Sequence, residues 1–189
     1  HETEVTCGYL SIACEIELYP VELLATGVSM VTVSVRRPGP DVLDPRVKSL
    51  NYLNSVLAKR EARLRGADEA LILNSVGNVA EAAVANVFAF RRGKLLTPPA
   101  TDGALEGVTR GCVAELAAGL GIPAEERSLT RMDLLSADEV FLSGTGARIV
   151  AVRSLDGAEI GLRAPGPVTE KLAAAFAELA RSDGPIYLD

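Results

Sequence analysis

The sequence predicts an α+β fold: a mixed, largely antiparallel sheet with packed helices. Three observations predict it. Apolar and polar residues alternate in β-branched types from Ser29 to Val35, the period of a half-buried strand. Short apolar runs between residues 70 and 97 are separated by Asn- and Gly-containing turns, the pattern of a meander rather than of a strand–helix–strand repeat. Helical patterns fall between and after these runs in mixed order, as in α+β chains.

The elements follow in order. After the 29–35 strand, Pro38-Gly39-Pro40-Asp41 and Pro45 form a loop. From Leu50 the positions Leu50, Leu53, Val56, Leu57 and Leu64 recur at helical spacing, with Lys59, Arg60, Glu61, Arg63 and Arg65 turned outward and Gly66 as the stop. Ala70–Leu73 reads as a strand, Asn74–Asn78 as a hairpin turn, and Asn86–Phe90 as another strand that turns at 91–94 into Leu95-Leu96-Thr97. A helix is expected from about Arg110 to Leu120, ended by Gly121 and Pro123. A short helix follows near 129–136, capped by Thr130 or Ser128. Strands at 140–143 and 149–152 flank the Gly144-Thr145-Gly146 turn, and an Ala- and Leu-rich amphipathic helix runs from Val168 to Arg181.

Composition narrows the function classes. The 189 residues, 48% hydrophobic, suffice for one domain with a real core. A net charge of −6 argues against a phosphate-tracking nucleic-acid surface, and Arg36-Arg37 and Arg91-Arg92 read as solvated loop ends. No apolar run reaches the length of a membrane span. Cys7, Cys14 and Cys112 lack metal-ligand spacing and suit free thiols in a reducing compartment, with the cytoplasm as default. His1 is the only histidine, which nearly excludes histidine-activated nucleophiles and histidine-ligated metals. Any demanding chemistry then falls to a cofactor.

Four features fit an aldehyde cofactor that carries a phosphate. Lys48, just before a helix, is placed to form a Schiff base and to move a substrate Cα proton; the other reading is a solvated lysine in the helix's first turn. Glu81 is a lone charge within the small, apolar stretch 79–87 and can face a pyridine nitrogen that must stay protonated; the other reading is an exposed glutamate at a hairpin tip. Gly107-Val108-Thr109 before a helix offers backbone N–H groups, a dipole and a hydroxyl to a phosphate. Ser143-Gly144-Thr145-Gly146 at a strand end offers a second nest of N–H groups.

From about Ile16 to Phe176 the chain resembles the fold-type IV pyridoxal-phosphate enzymes, the class IV aminotransferases. The residues that carry the resemblance are Lys48-Ser49-Leu50-Asn51-Tyr52-Leu53-Asn54, Glu81 with Asn86-Val87-Phe88, Leu105-Glu106-Gly107-Val108-Thr109-Arg110, and Asp138 to Thr145. The resemblance implies the cofactor-binding domain fold of D-amino-acid aminotransferase and pyridoxal 5'-phosphate as cofactor. It implies Lys48 as the Schiff-base lysine, Glu81 as partner of the ring nitrogen, and Tyr52 as a hydrogen-bond partner of the ring hydroxyl. Val108 and Thr109 would bind phosphate, with Ser143, Gly144 and Thr145 as further cofactor contacts and Thr145 and Gly146 beside the substrate carboxylate. It also implies a homodimer acting on an amino acid and a 2-oxo acid.

Tyr52 and Ser143-Gly144-Thr145 lean toward the branched-chain aminotransferases within that family, although Tyr52 also suits a packed core residue. Aminodeoxychorismate lyase and D-amino-acid aminotransferase use the same parts and stay open, as does a non-catalytic domain. Arg148 departs from the branched-chain pattern, which usually has glutamate there. Residues 1–15 match poorly and are expected to be a remnant of the family's smaller N-terminal domain, with 16–189 forming the cofactor-binding domain.

Overall fold

A short helix α1 (Val21–Thr26) ends at Gly27, whose φ of 80° and lack of a Cβ let the chain pass close to the Ala151 carbonyl before strand β1 (Val28–Arg36) begins. The structure, a computed structural model, describes residues 18–182. In it the β-branched alternation at 29–35 is this strand, with Val28, Met30, Val31 and Val33 buried. The expected remnant at residues 1–15, with Cys7 and Cys14, lies outside the described residues.

Helix α2 (Leu53–Leu64) carries the chain from β1 to β2 (Glu69–Leu73), and these two strands are parallel. Ahead of the expected meander, whose pairings β2–β3 and β4–β5 are antiparallel, β1, α2 and β2 form a strand–helix–strand crossover, contrary to the sequence expectation. Periodicity reports helix and strand but not relative strand direction, and parallel neighbours require a long crossover of this kind.

The buried face of α2 also differs from the expected one. Leu53, Val56, Leu57 and Leu64 are exposed, and so is Leu50 ahead of the helix, whereas Ser55, Ala58 and Ala62 are buried, the two alanines against Val31, Val33, Ala70 and Ile72. Small contact residues let a helix approach a sheet closely, so the small side chains rather than the leucines define this contact. Lys59, read as an outward residue, reaches inward. Its ammonium lies 2.6 Å from Glu69, which is 0% exposed and also accepts a hydrogen bond from the Tyr19 phenol. Burial, reinforced by the Glu69 charge, pushes the Tyr19 phenol well above its ordinary range and keeps it a neutral donor.

The remaining elements are β3 (Val79–Ala82), β4 (Asn86–Arg91), β5 (Lys94–Thr97), α3 (Val108–Gly119), β6 (Ala124–Glu126), α4 (Arg131–Leu135), β7 (Glu139–Gly144), β8 (Arg148–Leu155), β9 (Ala158–Glu159) and α5 (Pro167–Ser182). Thr130 and Asp133 cap α4 reciprocally, with Thr130 as the expected cap. The strand order is β3-β2-β1-β8-β7-β4-β5-β6, with β9 beside β8. Three pairings are parallel (β1–β2, β1–β8 and β5–β6) and the others are antiparallel, in line with the predicted mixed, largely antiparallel sheet.

Curvature of this sheet positions the site. β3 ends the strand order while β4 lies well inside it, yet only Ala83, Val84 and Ala85 separate the two strands along the chain, and Ala82 N–H donates to Ala85 O. The sheet must therefore curl until β3 meets the start of β4. Phe88 and Phe141 stack with ring centroids 5.1 Å apart in the layer shared with Val113 of α3 and Leu172 of α5. No helix among the described residues is long and apolar enough to cross a membrane.

Replacing Lys59 by methionine strands the Glu69 carboxylate inside the sheet. Urea unfolding should show a loss of about 3 kcal/mol, the low end of the range for a broken buried pair because Lys59 keeps some solvent contact.

Candidate active site

The register of β2 and β3 sets Glu81 opposite Ile72, in a strand buried along its whole length, so the carboxylate is carried inside and is only 5% exposed. A buried charge needs donors, and Arg37, Leu105 and Asn86 supply them. The Arg37 guanidinium lies 2.6 Å from Oε1. On Oε2, Leu105 N–H donates at 2.9 Å and Asn86 Nδ2 at 3.3 Å. Burial pushes the Glu81 pKa above the ordinary range, opposed by the charge of Arg37, the Leu105 N–H and, more weakly, the charge of Lys48. Glu81 is thus not an exposed glutamate at a hairpin tip.

Lys48 lies in the irregular segment between β1 and α2, five residues before the helix begins, and not in its first turn. It is solvent-exposed. Its ammonium donates to the Tyr52 phenol at 2.9 Å and stands 5.6 Å from that ring's centre. Asn54 Nδ2 donates to Arg36 O, which ties the start of α2 to the end of β1 and fixes both ends of the Lys48 segment.

Helix α3 begins at Val108, two residues earlier than expected, so Val108 and Thr109 form its first turn. Val108 is exposed and Thr109 buried. No side chain caps this helix at Gly107, so its first N–H groups keep their donors and the dipole for an outside acceptor. The turn is locked to the Glu81 cluster by Asn86, whose Nδ2 also donates to Leu105 O at 2.9 Å. A Cβ on Gly107 would sit 2.7 Å from Asn86 Oδ1.

Strand β7 brings in the last expected group. Ser143 pairs with Asn86 across β4 and β7, and Gly144 pairs with Arg148, which leaves Thr145, Gly146 and Ala147 as the β7–β8 turn. A Cβ on Gly144 would lie 3.4 Å from Val84 O, so this turn abuts the one joining β3 and β4. Thr145 and Gly146 are exposed at its tip. Ser143 is 0% exposed, and its hydroxyl has no hydrogen-bond partner among the described residues.

Glu81, the start of α3 and the β7–β8 turn are therefore joined through Asn86, and Lys48 with Tyr52 comes from the segment that also supplies Arg37. Sequence reasoning missed Arg37, read as a solvated loop end, and the bridging part of Asn86. The signal for Arg37 was Glu81 itself: a carboxylate in an apolar stretch calls for a cation nearby.

The family model for class IV amino-transferases matches residues 11–155, and the chain belongs to that family. A Methanocaldococcus jannaschii protein named after branched-chain-amino-acid aminotransferase is 45% identical over 173 residues, covering 92% of this chain and 60% of that protein. The Escherichia coli branched-chain amino acid aminotransferase structure superposes with a TM-score of 0.82 at 41% identity, over 85% of this chain and 53% of that one. The Thermobaculum terrenum enzyme in its PLP form gives 0.79 at 44% identity, over 80% of this chain and 50% of that one. The chain thus spans about half to three fifths of the length of these relatives.

Gly107→Ala should destabilise the protein by about 1–3 kcal/mol, because Asn86 is held by its own hydrogen bonds and cannot yield. Asn86→Ala opens that space, so urea unfolding of the double variant should cost less than the sum of the single changes.

Proposed function

We propose that residues 16–189 are the cofactor-carrying domain of a pyridoxal-phosphate-dependent aminotransferase of branched-chain type, moving an amino group between an amino acid and a 2-oxo acid. The observation that carries this reading is the linkage of a buried, arginine-paired carboxylate to an uncapped helix start through one asparagine, with a lysine nearby. The names and PLP-form structures of the relatives support it.

The residues fit the group. Lys48 would hold the aldehyde and supply the base for the proton at the substrate Cα, with the Tyr52 phenol orienting its amine. The N–H groups of Val108 and Thr109 at the start of α3 receive the phosphate, joined by the Thr145 end of the β7–β8 turn. The Ser143 hydroxyl, without a partner among the described residues, and Gly144 would be further cofactor contacts, and Thr145 and Gly146, exposed at the turn's tip, would receive the substrate carboxylate. Glu81 would hold a proton at the ring nitrogen, and the group so held would supply an electron sink. A homodimer in the cytoplasm, with sites near the subunit boundary, completes the reading; the exposed apolar residues along α2 supply surface for such an assembly.

Added pyridoxal phosphate should give a new near-ultraviolet to visible band, and borohydride reduction with peptide mapping should place the label on Lys48. Lys48→Ala should abolish both; a label on another lysine would overturn the assignment. Amino transfer from leucine to 2-oxoglutarate, against pyruvate release from aminodeoxychorismate, separates the transaminase from the lyase.

A further inference from the structure

We propose that Arg37 is a positioning residue for the ring end of the site, orienting Glu81 and holding it as a carboxylate with one oxygen left to accept a protonated ring nitrogen. This rests on the pyridoxal-phosphate reading above. Arg37 is fixed at three points. Its backbone N–H donates to Leu73 O, its Nε donates to Gly103 O at 3.0 Å, and its terminal nitrogen lies 2.6 Å from Glu81 Oε1. Gly103 walls its stem: φ there is 104°, and a Cβ would lie 2.7 Å from Arg37 Cγ. The side chain is only 16% exposed, so this pair is not a loose surface contact.

The two carboxylate oxygens are used unequally. Each has two acceptor sites. Leu105 N–H and Asn86 Nδ2 fill those of Oε2, whereas Arg37 takes one of Oε1. Among the described residues nothing else donates to Oε1, whose second site is left for a ligand.

Among the described residues Arg37 and Lys48 are the positive charges acting on Glu81, and Leu105 N–H and Asn86 are its neutral donors. In the proposed site the Lys48 amine is taken up in the bond to the cofactor, whereas the Arg37 guanidinium stays at Oε1, so Arg37 is the countercharge that remains on Glu81.

The test begins without cofactor. Burial lets folded Glu81 keep its proton to a higher pH than the unfolded chain does, so the stability due to this group is greatest in acid. It falls as pH rises from the ordinary glutamate range through the folded midpoint. That midpoint is read from the pH dependence of urea unfolding, wild type against Glu81→Gln. Arg37→Met should move it upward by about 1–3 pH units, the size of effect of a close opposite charge, and Arg37→Lys should move it less. A folded Arg37→Met protein with an unmoved midpoint overturns the proposal.

The second arm is pyridoxal phosphate affinity, read by absorbance titration, and it separates positioning from mere structure. Arg37→Met should raise the dissociation constant about tenfold, a loss of about 1.4 kcal/mol, yet change little in a Glu81→Gln background. Equal weakening in both backgrounds overturns the proposal. Absence of a label on Lys48 would strike the aminotransferase reading alone, because the cofactor-free midpoint still decides the role of Arg37.

Discussion

A carboxylate carried inside by a fully buried strand has to be met by donors, and at Glu81 that demand draws the surrounding segments together. Arg37 comes from the residue just after β1, Asn86 from β4 and the Leu105 N–H from the turn ahead of α3. Each is a separate stretch of sequence. Removing the charge would leave Arg37 without its carboxylate partner and the Leu105 N–H without its acceptor, and the start of α3 would be tied to this cluster through Asn86 alone. The ring end and the phosphate end of the proposed site are thus parts of one hydrogen-bonded unit, with Asn86 as the link because its amide serves Glu81 and Leu105 together.

Curvature makes that unit possible. Because β3 and β4 are joined by a three-residue turn, the sheet folds over until Glu81 and Asn86 face the same space. The β7–β8 turn then arrives beside them through the pairing of Ser143 with Asn86. Lys48 approaches from a less regular segment and remains exposed, held by its contact with Tyr52 rather than by a wall of side chains.

Much of this was legible in the sequence. Turn residues and β-branched alternation marked β1, β2, β4, β5, β7 and β8, and the capping pattern marked α4, because these signals are local. The parallel pairing of β1 with β2 was not legible, since strand direction depends on where a crossover helix lands. The buried face of α2 was misread for a different reason: leucine spacing identifies a helix and an apolar face, but Ala58 and Ala62 allow closer approach to the sheet and lie against it. In the site, residue types with strong chemistry stood out, namely Lys48, Glu81 and the Gly107 turn. Arg37 did not, because a cation's role is set by what folds against it.

The two ends of the sheet show how such an assembly discourages unwanted strand pairing. β6 terminates the strand order with three exposed residues, and two of them are Glu125 and Glu126. At the opposite end, the Val79 N–H of β3 is already taken by Leu129 O. One rim is only three residues long and carries two ionised side chains, paired with Lys94 and Arg110, and the other is partly covered, so neither offers the long, uncharged ladder that an invading β-segment needs to zip on.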